Sequence, residues 1–156
     1  MPPKPQRAAG TYGFLGVLRH PSRILRAPAA DAADIDAVRR GEARRVSCFL
    51  RGTVDPYPRR LKQGSLVLDG DHAAWTPFWS LRRKPLEVKM EVQSVETRPA
   101  DQREPNVKKG GKAYGVVQIP TFLVVTCQAA SASVDFVVPA ADERLVRSFF
   151  ADAIRP

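Results

Sequence analysis

Hydrophobic positions along this chain follow two different rhythms. From Arg45 the spacing is two: in "RRVSCFLRG" Val46, Cys48 and Leu50 alternate with Ser47, Phe49 and Arg51. This is the signature of a half-buried strand. "GSLVLDGDHAAWTP" predicts two strands joined at Asp69-Gly70-Asp71, where Gly and Asp tolerate the backbone of a tight hairpin. "LEVKMEVQSV" alternates most cleanly, with Leu86, Val88, Met90 and Val92 on one side and Glu87, Lys89, Glu91 and Gln93 on the other. "VVQIPTFLVVTCQ" (116–128) and "ASVDFVVP" (132–139) predict two more strands, after a long polar loop over 98–115. The rhythm then becomes helical. In "PAADERLVRSFFADAIRP", Leu145, Val146, Phe149, Phe150 and Ala153 share one face, so an amphipathic helix with two core-facing phenylalanines closes the chain.

The first part of the chain is different. Met1–Gly10 is Pro-rich and basic, without periodicity, and is expected to be disordered. "TYGFLGVLRHPSRILRA" mixes Phe14, Leu15, Val17, Leu18, Ile24 and Leu25 with Arg19, His20, Arg23 and Arg26, and Pro21 divides it. Such a segment can dock on its own domain or lie on an anionic membrane. Asp31–Gly41 predicts a short helix, with acids at its start, Arg39 and Arg40 at its end, and Gly41 to stop it. The expected organisation is a basic, partly disordered tail over 1–30, a short helix over 31–43, and one domain over 44–156. That domain is α+β, mainly antiparallel β: six to seven strands forming a barrel or roll, closed by the C-terminal amphipathic helix. This order matches the pleckstrin-homology-like (PH-like) superfold, with another small α+β roll as the alternative.

Charge adds a direction. The net charge is +9, from 25 Lys and Arg against 16 Asp and Glu, and a field of this sign favours anionic partners. Residues 1–45 carry nine cations and four anions, and residues 46–113 carry thirteen and eight. Residues 114–156 carry three and four, so any anion-facing surface precedes the last third. Three basic clusters fall at predicted turns. Arg51, Arg59, Arg60 and Lys62 bracket the loop "GTVDPYP", Arg82, Arg83 and Lys84 follow the aromatic strand, and Lys108, Lys109 and Lys112 flank a Gly-Gly pair. The first two clusters are the candidate anion- or partner-binding residues. Trp75 and Trp79 share a parity and are expected to point inward, so the cations after them form a solvated turn and not a joint aromatic surface.

Catalysis has no local signature. His20 and His72 stand in a basic tail and at a hairpin turn, and no zinc-protease, nucleophile-elbow or phosphate-loop motif occurs. Cys48 and Cys127 are too few and too far apart for a zinc site and are expected to be buried, reduced thiols. No enzyme activity, cofactor or metal is expected. The stretch before Arg26 lacks the apolar core of a signal peptide, and no run of about eighteen apolar residues could span a membrane. A cytoplasmic protein, able to meet a membrane at its periphery, is therefore the expectation.

From about Arg45 onward the chain resembles a family of small, uncharacterised actinobacterial PH-like proteins. The likeness rests on "GSLVLDGDHAAWTPFWSLRRKP" and "VDFVVPAADERLVRSFFADA". The family usually carries one N-terminal transmembrane helix; in this sequence Pro21 and the surrounding basic residues interrupt the corresponding region. The resemblance implies no catalytic residues. It implies a non-catalytic interaction domain that recruits a protein partner or an anionic membrane surface through basic loops. In many PH domains cations around the first strand pair grip inositol phosphates, and Arg60-Leu61-Lys62 is similar to that element. The alternatives are a non-specific nucleic-acid-binding protein, and a small-ligand binder or enzyme using the barrel mouth.

Overall fold

The computed structural model describes residues 6–7, 32–78, 84–104, 111–113, 117–119 and 121–154. The elements are β1 (Gln6–Arg7), α1 (Ala32–Arg39), β2 (Arg44–Gly52), β3 (Lys62–Asp69), β4 (His72–Pro77), β5 (Leu86–Glu87), β6 (Ser94–Pro99), β7 (Gly111–Ala113), β8 (Val117–Ile119), β9 (Phe122–Gln128), β10 (Ser133–Pro139) and α2 (Ala140–Asp152). Seven strands make one antiparallel sheet in the order β5-β4-β3-β2-β10-β9-β6, and β7 and β8 pair separately. The predicted α+β class, with its short first helix and closing second helix, is the observed one and is consistent with a PH-like roll. The sheet does not close into a barrel.

What closes the gap is the most regular stretch of the sequence. Only Leu86 and Glu87 pair with β4, and only Ser94 onward pairs with β9. Between them the chain crosses from one sheet edge to the other, held by Val88 N–H to the Ala73 carbonyl (2.8 Å) and Gln93 N–H to the Gln128 carbonyl (2.7 Å). Leu86, Val88 and Met90 pack against the core and Val92 is buried, while Lys89 and Glu91 face water. The alternation is real, but it serves a bridge across the opening and not one continuous strand. One backbone hydrogen bond at each end and the inward side chains between them hold the bridge, without a continuous ladder.

Other elements follow their local chemistry. The β3–β4 hairpin turns at Gly70, where φ is 60°, and Asp69 pairs with His72 across it. Two separate elements, β8 and β9, fall within the stretch predicted as one strand. The tail contributes one short element: Gln6–Arg7 lies parallel to Arg44–Arg45, on the part of β2 beyond its pairing with β10. The cap expected at Asp31 and the inward face expected for Trp79 fall outside the described residues.

The core fills the concave face of the sheet. Val46, Cys48, Leu50, Leu66, Leu68, Trp75, Val125, Cys127, Val134, Phe136 and Val138 meet Leu145, Val146 and Phe150 of α2. Phe136 and Phe150 stack with ring centroids 4.7 Å apart, which adds about 0.5–1.5 kcal/mol beyond their burial. Phe149 meets Phe150 edge-on at 5.1 Å and is half-buried. Asp142 and Glu143 stand in the first turn of α2, where the helix dipole favours negative charge. Glu143 also accepts a hydrogen bond from Thr97 on β6 (2.7 Å), tying the helix to the edge strand.

Candidate functional site

Strand β2 runs from the α1 end of the roll at Arg44 to a loop end at Gly52. The β2–β3 loop at that end is braced. The Gly52 N–H donates to the Pro58 carbonyl (2.8 Å) and the Thr53 N–H to the Ser133 carbonyl (3.0 Å). Tyr57 packs directly on Gly52, where a side chain would overlap its Cβ, and its hydroxyl donates to the Lys89 carbonyl at 3.2 Å. A buried tyrosine thus pins the loop to the bridge. The turn that follows carries its cations outward.

Arg59, Arg60 and Lys62 are exposed. Arg59 comes within 3.9 Å of Asp55, a distance at which exposed ions gain little. Arg60 and Lys62 have no carboxylate within ion-pair distance among the described residues. Of the second predicted cluster, Lys84 is described, and the topology directs it to the same end. Strand β4 finishes with Pro77 opposite Gly64, and the Phe78 N–H donates to the Gln63 carbonyl (3.1 Å), next to Lys62. Lys84 is exposed two residues before β5 begins. Arg82, Arg83, Lys108 and Lys109 lie outside the described residues, and Lys112 stands on β7.

Arg51 behaves differently from its predicted partners. It points to the convex face of the sheet, where it directly opposes Asp135. Its guanidinium donates to Asp135 Oδ2 through Nε (3.1 Å) and Nη2 (2.6 Å), to Glu104 Oε1 (2.9 Å) and to the Arg103 carbonyl (3.0 Å). Glu104 is 2% exposed and also accepts from both terminal nitrogens of Arg98 and from the Asp101 N–H. Thr126 Oγ1 donates to Asp135 Oδ1 at 2.7 Å, and Arg103 is held by Asp101. Three guanidiniums meet three carboxylates, so this network is neutral as a unit. An arginine enclosed in this way is a structural cation, and the predicted anion site loses it. The Arg98 fork, with help from the Asp101 amide and Arg51, holds the Glu104 carboxyl down at about 2. Nothing in the local pattern of "DQREP" marks Glu104 for burial, because its partners come from strands 6 and 53 residues away.

The thiols are shielded. Both cysteines are buried and free, and desolvation raises Cys48 strongly and pushes Cys127 up to about 12. On β10, Val134 opposes Cys127 of β9, and Val137 opposes Phe49 of β2, the residue after Cys48. The two sulfurs therefore sit two strands and four residues apart. That is about 10 Å across and about 13 Å along the sheet, well beyond the roughly 7 Å Cα limit for a disulfide. His72 lies exposed at the hairpin, 3.4 Å from Asp71. Among the described residues no group of three His, Cys, Asp or Glu is placed to hold a metal, and no helix is long and apolar enough to cross a membrane.

No family model, curated protein or solved structure matches this chain.

Proposed function

We propose that this protein is a non-catalytic PH-like interaction domain whose loop end recruits a protein partner or an anionic membrane surface. The observation that carries the reading is the contrast among its cations. Arg51 and Arg98 are enclosed by internal carboxylates, whereas Arg60, Lys62 and Lys84 stand exposed at one end of the roll. Bracing by Tyr57 and Gly52 lowers the ordering cost of presenting that loop to a partner. Each Lys or Arg near an anionic surface contributes about 1 kcal/mol, so three give useful but salt-sensitive attraction. The likeness to small actinobacterial PH-like proteins belongs to the same proposal.

Sedimentation of the protein with vesicles, with and without anionic lipid, tests it alongside a gel shift on nucleic acid in rising salt. Arg60→Glu with Lys62→Glu should abolish co-sedimentation with anionic vesicles. If binding survives both charge reversals, the loop site is wrong. A gel shift that outcompetes the vesicles would favour the nucleic-acid alternative.

A further inference from the structure

The opposite end of the roll has a recess of the opposite sign. Ile35 and Val38 of α1 and Leu145 and Phe149 of α2 form its apolar floor, and the Gly70-Asp71 turn forms one side. The groove encloses about 380 Å³, within the roughly 300–1,000 Å³ range of ligand-sized recesses. Arg39 reaches across it from α1 to Asp152 at the end of α2 (2.8 Å) and also contacts Asp36 (3.5 Å). Exposed Asp69 and Asp71 stand on the turn. Among the described lining residues, Asp71 and Asp152 against Arg39 leave the groove at a formal charge of −1 on a chain of net +9. Arg40, next along, is held by Glu42 at 3.0 Å and does not alter that balance.

An apolar floor between two helices, edged by carboxylates, is complementary to a helix with apolar residues on one side and lysine or arginine beside them. We propose that this groove docks a basic amphipathic helix of a partner protein, with its apolar residues on Ile35, Val38, Leu145 and Phe149 and its cations against Asp71 and Asp152. The nine residues of β2 separate this groove from the basic loop end, a span of about 27–30 Å. One molecule can therefore hold an anionic partner at one end and a basic helix at the other. This second site goes beyond the loop-end proposal and does not depend on it.

The test titrates the full-length protein against a fluorescent 14-residue Leu/Lys amphipathic peptide and its Leu/Glu counterpart, read by anisotropy. Saturable binding of the Leu/Lys peptide is expected, with the Leu/Glu peptide at least about tenfold weaker. Asp71→Lys, on a fully solvated turn, should weaken the Leu/Lys peptide by about two- to fivefold without moving the melting temperature. Glu91→Lys, an exposed acid on the bridge, should leave it unchanged. Absence of saturable binding, equal binding of the two peptides, or equal effects of the two variants overturns the proposal. A concentration-dependent dimer that Asp71→Lys abolishes also overturns it, because the occupant would then be a second copy of this chain.

Discussion

The two faces of the central sheet solve the burial problem in different ways. On the concave face, buried aliphatic and aromatic side chains from five strands meet one amphipathic helix, and nearly everything buried is apolar. On the convex face, a small patch of Val124 and Val137, flanked by Phe49, Leu61, Ala100 and Phe122, sits beside a network of three arginines and three carboxylates. Each strand contributes to both faces through successive residues: Leu50 enters the core and Arg51 the network. The apolar face draws its stability from area removed from water. The polar face is held by mutual satisfaction of charged groups, which fixes geometry more than it adds net stability. The contrast teaches that a buried charge here is a fastener for the 100–104 loop and not a binding group in waiting.

That comparison can be broken at several places. The largest effect should come from Phe136→Ala, which empties the stack on Phe150 at the centre of the concave face. A loss of about 3–5 kcal/mol in denaturant unfolding is expected, and a loss below about 1 kcal/mol would show that α2 does not depend on this stack. Next is Glu104→Ala, expected to cost about 2 kcal/mol, because Arg51 and Arg98 lose a shared acceptor but remain partly open to water that can replace it. Proteolysis of the 100–104 loop should increase in the same variant. Acid should mimic this change. The Glu104 carboxyl is held at about 2 in the folded protein, against about 4.3 in an unfolded chain, so its contribution is complete above about pH 4.3 and fades as pH falls toward 2. Glu104→Ala should flatten the acid limb of the stability profile, and an unchanged limb would remove Glu104 from the account. Thr126→Val should be smallest, about 1 kcal/mol, because Asp135 loses one donor and keeps Arg51.

Much of the concave face is legible in the amino-acid sequence. Strand β2, the Asp69-Gly70-Asp71 hairpin and the helix bearing Phe149 and Phe150 all follow from spacing and turn chemistry. The bridge over 88–93 was only half legible. Its alternation showed which side chains face inward, but not that its backbone would leave the ladder to join two sheet edges. The candidate site divided in the same manner. Arg60 and Lys62 lie where a basic turn was expected, while Arg51 looked the same in sequence and is drawn into an internal network.

Period, propensity and turn residues act within about ten neighbours, so by itself the amino-acid order determined the α+β class, the strands of the concave face and the amphipathic closing helix. Only tertiary structure decided which cations remain available, that the sheet stays open and is spanned by the 88–93 bridge, and that Asp71 and Asp152 edge an apolar groove. Those outcomes depend on pairings between residues far apart in the chain, such as Arg51 with Asp135 and Arg39 with Asp152. A side chain's charge state and partner are set by what the fold places within hydrogen-bond reach.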